Sequence, residues 1–186
     1  MTRFIACAVV ASAGSVASAS LMVEAEPNDS TADANFVAAF TPPGGAVAID
    51  GTITPGDVDW FEFSISAQST LLITALGSTS DPLDADGQFQ LLDSASNIIE
   101  FDDDDGPGFL PAINITGLAA GTYFLGVSGF PDGSSTSILD GLNDDTGESH
   151  QQNFEYKIAL GVNLVPAPGA ATLAAFAGLA AVRRRR

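Results

Sequence analysis

Two carboxylates, Asp57 and Asp59, stand two residues apart on the turn Gly56-Asp57-Val58-Asp59, which runs straight into Trp60-Phe61-Glu62-Phe63-Ser64-Ile65. In that run Phe61, Phe63 and Ile65 fall to one side, and Trp60, Glu62 and Ser64 to the other. Period two with aromatic and β-branched residues predicts a half-buried strand. A carboxylate pair on a turn stiffened by a strand suits a hard divalent cation such as Ca2+. The same residues also suit a solvated turn, where Asp bonds its own backbone. Upstream, Glu24, Glu26 and Asn28 alternate, so an extended chain aims their oxygens to one side. Pro27 favours an extended Glu26, and Asn28-Asp29-Ser30 reads as a turn or a helix cap. Two more acidic groups are candidates for a second cation site: Asp81, Asp84 and Asp86, and the run Asp102-Asp103-Asp104-Asp105 before Gly106. Adjacent like charges are unfavourable unless solvated or bound to a cation.

Charge narrows the partners. The 23 acidic residues all lie between Glu24 and Glu155, and Lys157 is the only base between Arg3 and the four terminal arginines. The body therefore carries 23 negative charges against one positive, a net −22. Such a body repels phosphates and anionic lipid, which excludes nucleic acid as a partner. The single cysteine, Cys7, lies in the N-terminal apolar run, so it offers neither a disulfide nor a zinc site. Carboxylate pairs alone keep a glycosidase-like secreted hydrolase open as the alternative reading. That chemistry needs a pocket holding two carboxylates, one of them with a raised pKa. Against it, His150 is the only histidine and no nucleophile or zinc motif is present.

The ends have their own signatures. Residues 1–19 read as a secretory signal peptide: Arg3, an apolar stretch over 4–16, then Ala17-Ser18-Ala19 as a cleavage site. Residues 163–186 carry Val165-Pro166-Ala167-Pro168-Gly169, an apolar run over 170–182 and Arg183 to Arg186. Thirteen helical residues span about 20 Å, short of a ~30 Å hydrocarbon core unless arginine snorkelling extends them. Arginines stay cytoplasmic, which sets the orientation. This ending resembles the PEP-CTERM sorting signal, with Ala167 where that family usually has Glu. The resemblance implies an exosortase-type sorting enzyme as partner. It also implies transient anchoring in the inner membrane before release to the cell surface or extracellular space.

Between the ends, residues 20–162 read as one all-β domain. Strands are expected at 36–40, 46–53, 60–65, 69–77, 88–92, 98–101, 110–115 and 121–129, with a last one through Phe154, Tyr156, Ile158 and Leu160. Both faces of 69–77 look apolar, as for a strand inside a sandwich. Residues 130–152 form a long polar loop. About eight short strands with turns between them, and no crossover helix, predict an antiparallel β-sandwich.

Several motifs then coincide: Glu24-Ala25-Glu26-Pro27-Asn28-Asp29-Ser30, Gly51, Gly56-Asp57-Val58-Asp59-Trp60-Phe61, Leu91-Leu92-Asp93, Asp102 to Gly106, Gly121-Thr122-Tyr123-Phe124-Leu125-Gly126-Val127 and Tyr156-Lys157-Ile158. In this order they resemble the bacterial pre-peptidase C-terminal domain, related to the collagen-binding domain of clostridial collagenases. The resemblance implies a jelly-roll-like sandwich without catalytic residues. It also implies Ca2+ held between the N-terminal segment and the loop before a core strand, by Glu24, Glu26, Asn28, Asp29, Asp57 and Asp59. Trp60 and Tyr123 are candidate aromatic contacts for a ligand, with core packing the favoured role for Tyr123. The expected function is adhesion, or binding of an extracellular polysaccharide or protein.

Overall fold

The computed structural model describes residues 19–76, 86–130 and 150–165. The proposed signal segment up to residue 18, Asp81, Asp84, loop residues 131–149, and Pro166, Pro168, Gly169, the apolar run and the arginine tail lie outside the described residues.

Among the described residues ten strands form: β1 (Ala19–Val23), β2 (Asn35–Phe40), β3 (Gly44–Ile53), β4 (Val58–Ile65), β5 (Ser69–Ala75), β6 (Gly87–Asp93), β7 (Ile98–Asp102), β8 (Ala112–Leu118), β9 (Gly121–Gly129) and β10 (Phe154–Leu164). They build two five-stranded sheets, β1-β3-β10-β5-β8 and β2-β4-β9-β6-β7, called A and B below. All but one connection between consecutive strands crosses from one sheet to the other; β6 and β7 alone form a hairpin within a sheet.

This zigzag corrects the antiparallel expectation. β1 runs parallel to β3, and β2 parallel to β4. A strand that crosses to the other sheet and then returns keeps its direction, so the two opening pairs are parallel and the sheets are mixed. Among the described residues the strand count is ten, one more than the nine placed from the sequence. The extra element is β1, a short polar-to-apolar run that carries no turn signal before it. The segment after Asn28 makes a turn through Ser30 and Asp33 rather than a helix.

Alternation decides what is buried. Ile49, Ile53, Phe61, Phe63, Leu71, Ile73, Phe89, Leu91, Leu125, Ile158 and Leu160 are essentially inaccessible and fill the space between the sheets. Phe63 stacks on Tyr123 with ring centroids 5.8 Å apart and meets Phe40 edge-on at 6.4 Å. Tyr123 thus packs in the core, its hydroxyl donating to the Ala119 carbonyl at 2.9 Å. Trp60, expected on the exposed face of β4, is wholly buried with Val58 and Leu92 on the outer side of sheet B. Neither aromatic is a surface contact. β5 shows the opposite correction: Leu71 and Ile73 face inward, but Leu72 and the following Leu76 are about half exposed.

Neighbouring leucines on β5 should therefore behave differently. In dilute protein Leu71→Ala should lower the unfolding free energy by about 2–5 kcal/mol, the range for a core truncation. Leu72→Ala should cost less than about 0.5 kcal/mol. Urea titration of both variants checks this; equal losses would contradict the assigned inner face of sheet A.

Candidate metal centre

The loop from β3 to β4 is held by local bonds before it meets anything else. Asp57 N–H donates to the Thr54 carbonyl at 3.1 Å, and the Thr54 N–H and hydroxyl both donate to Asp57 Oδ2 at 3.2 Å. Gly56 takes φ +84°, a left-handed conformation that glycine adopts without strain. His150, 2% exposed, then clamps the loop from the side. Its carbonyl accepts from Gly56 N–H at 3.2 Å, and its Nε2 lies 2.8 Å from the Asp57 carbonyl. Its Nδ1 accepts from Gln152 N–H at 3.1 Å, which leaves the proton on Nε2. Both ring nitrogens are thereby engaged.

The N-terminal segment is fixed just as firmly. Glu24 N–H donates to the Asp50 carbonyl at 2.9 Å, continuing the β1–β3 ladder. Asn35 grips the backbone of Ala25 at both its N–H, 2.6 Å, and its carbonyl, 2.9 Å. Trp60 N–H donates to the Asn28 carbonyl at 2.9 Å, which lays Asn28 against the start of β4.

These two constraints bring Glu26, Asp57 and Asp59 together, each offering an oxygen within 4.8 Å of the others. Asn28, fully buried, joins them. Its amide oxygen faces only acceptors; turned over, its nitrogen would donate to Glu26 Oε2 at 2.8 Å and to Asp59 Oδ1 at 3.1 Å. In that orientation the amide neutralises part of the carboxylate pair through two N–H bonds, and a cation among the oxygens would turn it the other way. Glu24 reaches the group through Tyr156. The Tyr156 hydroxyl lies 2.8 Å from Glu24 Oε2 and 2.7 Å from Asp59 Oδ2, while Glu24 Oε1 accepts from Thr52 N–H at 2.6 Å. Asp29 sits at the rim; partial burial and then the Asp57 charge raise its carboxyl above the usual range.

One hydroxyl proton cannot serve two carboxylates. Either Asp59 carries a proton or a positive charge lies beside it. Burial, followed by its contact with Glu24, pushes the Asp59 carboxyl up to about 9, against an opposing bond from Tyr156. Glu26 is raised as well, by local desolvation and then by Asp57. The donor set is oxygen only, irregular and strongly anionic, which fits Ca2+ better than the strict octahedron of Mg2+. Glu26, Asn28, Asp57 and Asp59 would hold such an ion.

Tyr156, His150, Asn35, Thr52 and Thr54 support the centre and were not legible as site residues. A signal for Tyr156 exists in its register partner. Gly51 faces it across β3 and β10, and a Cβ there would run into the Tyr156 hydroxyl and Glu24 Oε2. A glycine inside a strand marks close approach by another group.

The second acidic group also assembles. Asp102, Asp104 and Asp105 offer oxygens within 4.8 Å of one another, and Asp86 comes close enough for the charges of Asp103 and Asp104 to add to the upward push of burial. A cleft of about 410 Å3 beside it is lined by Glu100, Asp102, Asp105 and Asn114 with Leu72 and Ile113. Burial raises the Asp102 carboxyl, as the acid of a glycosidase-like hydrolase would need. Its Oδ2, however, accepts from Ala112 N–H at 2.6 Å and Asp105 N–H at 3.1 Å, so that oxygen ties β7 to β8.

Residues 57–129 match the family described as bacterial pre-peptidase C-terminal domain. No curated protein matches the chain. Among solved structures, the chain is similar to PliG of Aeromonas hydrophila, a periplasmic inhibitor of g-type lysozyme. That likeness has 14% identity and TM-score 0.45, covering 78% of this chain and 100% of that one. It is also similar to the pre-peptidase C-terminal domain of collagenase from Bacillus anthracis, with 17% identity and TM-score 0.41, covering 70% of this chain and 94% of that one. A third likeness is the Yersinia pseudotuberculosis-derived mitogen, at 13% identity and TM-score 0.38, covering 67% of this chain and 89% of that one.

A carboxyl whose folded pKa exceeds its unfolded one stabilises the fold below the unfolded value, and loses that contribution as pH rises through the folded value. For Asp59 the window runs from about 4, the ordinary Asp value, to about 9. In chelator, stability should therefore fall between those limits, by at most about 1.4 kcal/mol per pH unit for one proton. Asp59→Asn should flatten the profile. Thermal melts from pH 5 to 9 check it, and a profile that Asp59→Asn leaves unchanged would remove Asp59 as the titrating group.

Proposed function

We propose that this chain is a non-catalytic, calcium-stabilised β-sandwich, exported and sorted to the cell surface or extracellular matrix, where it acts in adhesion or in binding a polysaccharide or protein. The observation that carries the reading is the meeting of Glu26, Asp57 and Asp59, whose carboxylate oxygens lie within 4.8 Å of one another beside the buried Asn28. The ion would join the N-terminal segment to the β3–β4 loop, two pieces of chain that otherwise repel. The match to the pre-peptidase C-terminal family over residues 57–129, which includes Asp57 and Asp59, supports the same assignment. Against the hydrolase alternative stand the engaged Asp102 and the fully paired His150 ring. Turnover of a glycoside by the purified body, lost on changing Asp102 or Glu100, would restore it.

Residues 1–19 serve, in this proposal, as the export signal, and residues 163–186 as the sorting signal read by an exosortase-type enzyme. The sandwich runs through Leu164, which is buried, and Val165 N–H still donates to the Gln68 carbonyl at 2.8 Å. Val165 itself is half exposed, so the Pro-x-Pro motif starts where the packed body stops.

Scanning calorimetry of residues 19–165 with and without Ca2+ tests the metal. An extracellular site with Kd on the order of 10⁻⁴ M should gain about 2–3 kcal/mol at ~10 mM ion, or about 6–10 °C in midpoint. Asp57→Asn should abolish the gain. An unchanged wild-type midpoint in millimolar Ca2+ would overturn the cation reading while leaving the export reading standing. Separately, replacing Pro166 and Pro168 by Ala should leave the chain in the membrane fraction of an exosortase-bearing host; equal release of both forms would discard the sorting role.

A further inference from the structure

Sheet A turns its outer face to solvent, and that face is unlike the rest of the body. Its centre is flat: Ala46 and Ala48 on β3 lie beside Gly161 and Ala159 on β10, all half exposed. On one side of this trough stands a ridge of Leu72, 49% exposed, and Leu76, 55%. On the other, Leu21 at 64% and Val23 at 66% rise from the edge strand β1. Asp50 and Lys157, cross-strand neighbours in these rows, pair their side chains at 2.6 Å, and the exposed Glu155 stands beside Thr52 at one end of β10. A largely uncharged apolar face on a body of net charge −22 is a marked departure from the surrounding surface.

We propose that this face is the interface between two copies of the chain. Electrostatics selects the occupant. Two bodies of this charge repel through their acidic surfaces, and this face brings them together with Asp50 and Lys157 neutralising each other and Glu155, at one end of β10, as the remaining charge. Shape agrees: a two-fold axis parallel to the strands, near β10 and β5, sets the Leu72 and Leu76 ridge of each copy over the alanine and glycine trough of the other. That contact is self-complementary, as a two-fold interface requires. A lipid surface is the poorer occupant, because among the described residues the one base here, Lys157, is already paired. Five strands about 4.8 Å apart and about six residues long make a face of roughly 500 Å2. Two such faces bury about 1,000 Å2, the lower bound for a specific contact, so the pair is weak and depends on concentration.

The test uses the full chain. Sedimentation equilibrium should show a reversible monomer–dimer, tightening several-fold as salt rises from about 20 to about 500 mM, because the screened force is repulsive. Leu72→Asp should weaken it at least tenfold with an unchanged melting midpoint; Leu72→Thr serves if the aspartate variant does not fold. In a Cys7→Ser background, mild oxidation should link Ala159→Cys into dimers, but not Phe36→Cys on the outer face of sheet B. A monomer at all concentrations and salts overturns the proposal. So does equal cross-linking of both variants, association indifferent to Leu72, or a monomer whose Leu72 matters only for binding vesicles of neutral lipid.

Discussion

Everything at the leading edge of this sandwich answers to one repulsion, that among Glu26, Asp57 and Asp59, with Glu24 close behind. The carboxylates do not meet by accident of a loose surface. Asp59 is an inward-facing strand residue with no solvent exposure, Asp57 is locked by Thr54 and His150, and Asn28 is buried between them. The chain therefore spends backbone bonds on holding like charges together. Such an arrangement persists only if something neutralises it, either a proton on Asp59 or an ion among the oxygens. The two possibilities are exclusive, and the Asn28 amide turns one way for each.

The surrounding architecture makes this possible. Because nearly every connection crosses between the sheets, residues remote in sequence meet where connections turn. Glu24 and Tyr156 are 132 residues apart and Asp59 and Tyr156 are 97 apart, yet one hydroxyl touches both carboxylates. β10 carries Tyr156 into the core of sheet A, while β4 carries Asp59 inward from sheet B. The centre is thus a link between sheets as well as between the N-terminal segment and a loop.

Much of this was legible and some was not, for identifiable reasons. Alternation in Trp60 to Ile65 and in Phe154 to Leu160 located the central strands, because a buried face imposes period two on side-chain type. The acidic doublet located the loop. The parallel pairs were invisible, since pairing direction depends on which sheet the intervening strand joins, and no local pattern encodes that. Trp60 misled because the outer side of sheet B is covered at that end by Ala34, Ile98 and Phe124, so the polar neighbours Glu62 and Ser64 did not mark its environment. Leu72 and Leu76 misled in reverse: leucines on an exposed face read as core. His150 looked like a loop residue because its role lies in two main-chain contacts, to Asp57 and Gln152.

β10 has a consequence for the order in which the fold can close. It lies between β3 and β5, so sheet A exists as two unjoined pieces, β1-β3 and β5-β8, until residues 154–164 arrive. A chain that emerges N-terminus first presents this strand after the other nine among the described residues. It is the keystone, and sheet A stays in two unlocked pieces until it arrives.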